Sequence, residues 1–181
     1  MSTYKSTTDH AAEIRAALKA KGWSSRKISV RADYYSMGSS IDITIKDVSI
    51  PLNVVKAIAE DHERIDRCQF SGEILAGCNR YVHVRYDYDV LKAAAQPYIP
   101  AVEAALAKVH DNYLILVEGT PNGYVPFMVG KRNGYPTLWQ CGKGTDSGHY
   151  VTEFNTAEGV AEAIVARLAD LQVEDGEAKA S

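Results

Sequence analysis

Three residues near the middle of the chain have side chains that can bind a metal ion. They are Cys68, Cys78 and His83, with nine residues between the cysteines and four between Cys78 and His83. Structural zinc sites use four such ligands in closer pairs. A fourth ligand would have to come from Cys141 or from a distant histidine. This spacing favours inert, buried cysteines, so we predict no metal site.

Nucleophilic catalysis has one candidate group, formed by Cys141, Asp146 and His149. A thiol nucleophile needs a base and an orienting acid within hydrogen-bond reach, and spacing alone does not establish that geometry. The glycine-rich run at 142–148 resembles a phosphate-binding loop, but a predicted strand follows it where such a loop needs a helix. We therefore predict a protein that is not an enzyme and has no cofactor.

A third group of residues could bind a partner. Apolar residues alternate with polar ones at 27–33, at 41–46 and again at 80–86, a period typical of strands with one buried face. Residues 34–40 between the first two strands are too many for a two-residue turn. On the polar face and its rim we expect the partner-binding residues Lys27, Arg31, Tyr34, Tyr35, Lys46, Tyr81, His83 and Arg85.

The chemistry of this face is compatible with two kinds of partner. Tyr and Arg side chains dominate the binding energy of many protein interfaces. Basic groups also reach phosphates, and aromatic rings stack on bases. A sheet face that only contacts water is a third reading. Since the net charge is −3 and no nucleic-acid-binding motif occurs, a protein partner is favoured over nucleic acid.

The elements that would position these residues define an α+β fold. The N-terminal unit, 1–110, reads as α-β-β-α-β-α with a one-sided antiparallel sheet. A second unit, 111–172, reads as a β-meander plus a C-terminal helix, and 173–181 reads as a disordered tail. The Asn133–Gly134 pair predicts a tight hairpin turn in the meander.

Composition limits where the protein acts. No apolar run approaches the length of a bilayer span, and the first ten residues lack the apolar region of a signal peptide. Three sparse cysteines suit a reducing compartment better than a disulfide framework. We expect a cytoplasmic protein, in the cytoplasm of a host cell if its origin is a mobile element.

The first half of the chain resembles a known domain family. The similarity covers about residues 10–90 and lies in three stretches, HAAEIRAALKAKGW, KISVRADYYSMGSSIDITIKD and SGEILAGCNRYVHVRYD. These stretches resemble a large polyvalent protein-associated domain of phage and plasmid polyvalent proteins. Within them the most specific parts are Ile14-Arg15 with Leu18-Lys19, Ile28-Ser29-Val30-Arg31, Gly38-Ser39-Ser40-Ile41 and Asn79-Arg80-Tyr81-Val82. One departure is 46–50, where the family has a short turn containing Trp or Gly.

The resemblance implies a biological setting but no catalytic residues. Such domains look like proteins that mobile elements deliver or express to act on a recipient cell, including its defences, as anti-CRISPR-like proteins do. We therefore expect an accessory protein that binds and inhibits or modulates a host or defence-system protein, such as a CRISPR or restriction component. The alternative is a nucleic-acid-binding module that uses the same basic, Tyr-rich face.

Overall fold

The computed structural model describes residues 5–75, 77, 79–110, 113–120, 127–141 and 148–178, and it has the predicted α+β fold. The helices are α1 (Thr7–Ala20), α2 (Leu52–Glu60), α3 (Tyr88–Ala95), α4 (Ile99–Lys108) and α5 (Ala157–Ala178), with a 3₁₀ turn at Gln96–Tyr98. The strands are β1 (Ile28–Tyr35), β2 (Gly38–Ile45), β3 (Asn79–Tyr86), β4 (Ile115–Leu116), β5 (Phe127–Arg132), β6 (Tyr135–Cys141) and β7 (Gly148–Glu153).

Residue contacts divide the chain into two compact units. Unit 1 comprises Met1–Val90 with Ala169–Ser181, and unit 2 comprises Leu91–Leu168. The sequence-based division at residue 110 differs from this one. Helix α5 continues to Ala178, so 173–178, which we predicted as part of a disordered tail, are helical. Glu174, Glu177 and Ala178 favour a helix, whereas Asp175 and Gly176 have low helix propensity.

The sheet of unit 1 is mixed and has the strand order β1-β2-β3. Strands β1 and β2 are antiparallel, as predicted, whereas β2 and β3 are parallel, so the prediction of a wholly antiparallel sheet is wrong. A parallel pair needs a crossover connection. Residues 46–78, which include α2, provide that connection.

The hairpin between β1 and β2 is tighter than predicted. Tyr35 pairs with Gly38, which leaves only Ser36 and Met37 in the turn. A Cβ atom at Gly38 would lie 2.7 Å from the backbone oxygen of Asn79. Glycine therefore lets β2 and β3 approach closely at this end of the sheet.

Helices α1 and α2 cover one face of this sheet. On that face Ile41, Ile43 and Ile45 of β2 are fully buried, together with Ile14 of α1 and Val55 of α2. The hydrophobic core of unit 1 therefore lies between the helices and the β2 isoleucines.

Unit 2 contains the predicted β-meander, with the strand order β4-β5-β6-β7 and antiparallel pairing throughout. The hairpin turn at Asn133 and Gly134 is confirmed, with positive φ angles of 52° and 85°. Phe127 and Leu138 are fully buried in this unit, and the Arg167 Nε atom of α5 donates to Gln140 Oε1 of β6 at 2.6 Å. Among the described residues, no helix combines the length and apolarity needed to cross a membrane.

Candidate functional site

The face of the unit 1 sheet opposite α1 and α2 carries polar side chains in cross-strand rows. Arg31, Asp42 and His83 form one row. Because successive side chains point to opposite faces of a strand, every second row lies on the same side as this one. We call this surface the open face, and it consists of Ser29, Arg31, Asp33, Tyr35, Ser40, Asp42, Thr44, Tyr81, His83 and Arg85.

Aromatic rings lie at the Gly38 end and middle of the open face. The rings of Tyr81 and His83 are parallel to within 2°, with centroids 6.4 Å apart. The Tyr35 side chain is 47% exposed, and its hydroxyl donates to the Ser39 carbonyl at 3.1 Å. Partial burial, followed by the nearby Tyr81 and Asp42, raises the pKa of Tyr35. These rings therefore form a partly fixed, accessible surface.

The open face carries charges of both signs. Arg31, His83 and Arg85 are exposed, whereas Asp42 is half-buried on the central strand. The Asp42 carboxylate accepts a hydrogen bond from Ser40 Oγ at 3.0 Å. The Asp42 carboxylate thus lies among the side chains of Arg31, His83 and Arg85, which favours a partner surface with charges of both signs over a uniformly anionic one.

The structure brings together five of the eight residues predicted to bind a partner: Arg31, Tyr35, Tyr81, His83 and Arg85. Lys46 is exposed and directly follows the last residue of β2.

The other two predicted residues, Lys27 and Tyr34, have partners within the chain. Lys27 Nζ lies 2.8 Å from Asp47 Oδ2, in an ion pair. Tyr34 lies on the helix-covered side of the register, and its hydroxyl accepts from the Thr8 backbone N–H at 3.0 Å. The geometry therefore places Tyr34 beside the first turn of α1, away from the open face.

The residues singled out for covalent or metal chemistry are described only in part. Cys68 is a free thiol, and hydrogen bonds from Ser71, first from its side chain, lower the pKa of Cys68 to about 7. His83 belongs to the open face. Cys78, Asp146 and most of the 142–148 loop lie outside the described residues, as do the side chains of Cys141 and His149.

The sequence analysis missed a cluster of two histidines and a glutamate on the helical side of unit 1. The Nδ1 atoms of His10 and His62 are 3.0 Å apart, and each lies 3.9 Å from Glu13 Oε2. Burial, then the charges of Arg80 and His62, lower the pKa of His10, so neutral imidazole is favoured near pH 7. The spacing of His10 and Glu13 along a helix was a visible indication, whereas His62 is 52 residues from His10.

In comparisons with known proteins, no family model, curated protein or solved structure matches this chain.

Proposed function

We propose that the protein is a non-enzymatic binding module that recognises another protein through the open face. The row of Arg31, Asp42 and His83 carries this proposal, because it sets a carboxylate between two exposed nitrogen-bearing groups. A protein surface can offer complementary charges to all three positions. The exposed Tyr35 and the half-buried Tyr81 supply the aromatic contact area typical of binding hot spots.

Nucleic acid fits this face less well. A phosphate backbone would gain from Arg31 and Arg85 but would be repelled by Asp33 and Asp42, which lie in adjacent rows. The net charge of −3 also disfavours binding to a phosphate backbone. The stacked pair of Tyr81 and His83 is compatible with base stacking, so the test must distinguish the two partners.

Affinity capture with paired variants tests the binding face. Wild-type protein, Arg31→Glu and Tyr81→Ala would be immobilised and exposed to nuclease-treated host lysate. The matched controls are Lys56→Glu on α2, which makes the same charge change on the helical side, and Tyr88→Ala on α3. We expect each open-face variant to capture at least about tenfold less partner than the wild type does. Full capture by both open-face variants would rule out this face.

The biological setting of this binding is a further part of the proposal. Because residues 10–90 resemble a polyvalent protein-associated domain, we propose that the chain is a phage or plasmid accessory protein acting in the host cytoplasm. Its partner would be a host or defence-system protein, such as a CRISPR or restriction component.

A plaque assay tests the anti-defence activity. Cells with an active CRISPR or restriction system would express wild-type protein or Arg31→Glu, and phage plating efficiency would be counted. We expect the wild type to raise plating efficiency and the variant to have no effect. An equal effect of both chains, or none from either across such systems, would contradict the anti-defence proposal.

A further inference from the structure

The cluster of His10, Glu13 and His62 has the dimensions of a metal site. Its three ligand atoms form a triangle with sides of 3.0, 3.9 and 3.9 Å. The circle through the corners of this triangle has a radius of about 2.1 Å, so one point lies that far from all three atoms. Zinc binds imidazole nitrogen and carboxylate oxygen at about 2.0–2.2 Å.

The backbone around each ligand is held in place by independent contacts. At the start of α1, Ser6 and Asp9 form a capping box, which fixes the turn that carries His10 and Glu13. At the end of α2, the His62 N–H donates to the Ala59 carbonyl at 3.0 Å. The His62 carbonyl in turn accepts from Arg80 Nε of β3 at 2.6 Å. The backbone that carries each ring is therefore held by contacts that do not involve the rings themselves.

The chemistry of the donor set also suits a transition metal. Both histidine side chains are 17% exposed and Glu13 is 42% exposed, so the cluster is shielded on one side and open to solvent at the carboxylate. Lys5 Nζ pairs with Glu13 Oε1, which leaves Oε2 as the oxygen nearest the two rings. Two imidazoles and one carboxylate are ligands that zinc and similar ions accept, and zinc sites with three protein ligands take a water molecule as the fourth.

We propose that His10, Glu13 and His62 bind one divalent transition metal ion, of which zinc is the best match, and that this ion links the first turn of α1 to the end of α2. This site lies in the helical layer of unit 1, whereas the open face is on the opposite side of the sheet. The proposal is therefore independent of the proposed partner binding. A failure of either one leaves the other standing.

Calorimetric titration of zinc into untagged, chelator-treated full-length protein tests the site. We expect uptake of one ion by the wild type and an affinity lower by at least about tenfold in His10→Ala and His62→Ala. His83→Ala and Cys68→Ser serve as controls that remove other ligands and should bind as the wild type does. No uptake by the wild type, or unchanged affinity in both cluster variants, would overturn the proposal.

Cobalt absorption gives a second measurement, in which the spectrum of the wild type itself reports the ligand atoms. Co²⁺ bound by nitrogen and oxygen should show visible bands without the near-ultraviolet band that thiolate ligands produce. The wild type should show this nitrogen–oxygen spectrum, and Glu13→Gln, which keeps the size of the side chain, should need more cobalt to reach it. A thiolate band would assign the ion to cysteine and overturn the proposal.

Discussion

At the residue scale, the thiol of Cys68 has a lowered pKa. It lies in the irregular segment between α2 and β3, where its backbone N–H donates to the Glu73 carbonyl at 2.8 Å and its carbonyl accepts from Gly72 N–H at 2.9 Å. This tight turn brings the Ser71 hydroxyl and backbone N–H to the thiol. Because these donors stabilise the thiolate, the pKa of Cys68 falls to about 7.

The reactivity of Cys68 should follow this shift. In a chain whose other cysteines are replaced by serine, we expect half-maximal alkylation of Cys68 near pH 7. Replacing Ser71 by alanine removes the largest contribution, so the midpoint should rise towards the usual thiol value of about 8.5. Mass spectrometry after timed iodoacetamide treatment at a series of pH values measures both midpoints. Identical midpoints in the two chains would contradict the role of Ser71.

The ion pair between Lys27 and Asp47 should make stability depend on pH in the acid range. Hydrogen bonds from Lys27 first, then from Ser49, lower the pKa of Asp47 from 3.8 to about 2. A lowered folded-state pKa means that the stabilisation is complete above about pH 4 and disappears as the pH falls towards 2.

We therefore expect Asp47→Asn to reduce the free energy of unfolding at pH 7 by up to about 1 kcal/mol, as is usual for a solvent-accessible pair. Urea unfolding of the variant and the wild type at several pH values measures this difference, which should shrink between about pH 4 and pH 2. The double variant with Lys27→Met should show no larger loss than Asp47→Asn. A difference that stays constant with pH would argue against the ion pair.

Strand alternation correctly grouped most of the open face but failed at one residue for a physical reason. The sequence shows which residues alternate, and this placed Arg31, Tyr81 and His83 on one side. It does not show where the hairpin turns. Since β1 runs as far as Tyr35, Tyr34 and Tyr35 point to opposite faces, and only Tyr35 belongs to the open face.

At the element scale, the direction of β3 relative to β2 could not be predicted from the sequence. The alternation of Val82 and Val84 with His83 is the same in a parallel and in an antiparallel strand. Direction is set by the path of 46–78, which has both a helix and an irregular segment. Local patterns therefore predicted which elements exist, whereas the pairing depends on long-range packing.

The N-terminus of α2 shows the same dependence on distant residues. Its N-cap is Pro51, which has no capping side chain. Instead, Asp170 Oδ1 of α5 accepts from the Asn53 backbone N–H at 3.0 Å, across 117 positions of sequence. A carboxylate at this place satisfies a free N–H and interacts favourably with the helix dipole. No local pattern around α2 indicates this cap.

Removal of the Asp170 carboxylate should destabilise unit 1. We expect Asp170→Ala to lower the free energy of unfolding by about 1–2 kcal/mol, because Asp170 is buried and its loss leaves a helix N–H without an acceptor. Hydrogen exchange should show faster opening of the first turn of α2 than of β2. Glu158→Ala, at the exposed start of α5, is the control and should leave exchange in α2 unchanged. Unaltered protection of Asn53 in Asp170→Ala would contradict the cap.

At the scale of the whole molecule, charge is distributed unevenly along the sequence. Residues 1–31 have seven Lys or Arg and two acidic side chains, whereas 110–181 have five basic and ten acidic ones. The total of 20 basic and 23 acidic residues leaves a net charge of −3. The net negative charge gives no overall attraction to nucleic acid, so recognition of phosphates would have to come from local basic residues, such as those in 1–31.

Salt dependence separates the two kinds of partner for the open face. A nucleic-acid-binding protein that neutralises several phosphates loses affinity steeply between about 50 and 200 mM salt. We expect this protein to show no measurable binding to a labelled single-stranded or duplex oligonucleotide at either salt concentration, in a fluorescence anisotropy titration. Asp33 and Asp42 repel phosphate, so the double variant Asp33→Asn, Asp42→Asn would be titrated beside the wild type to measure how far these two carboxylates oppose nucleic-acid binding. Tight wild-type binding with a steep salt slope that disappears in Arg31→Glu would replace the protein partner with nucleic acid.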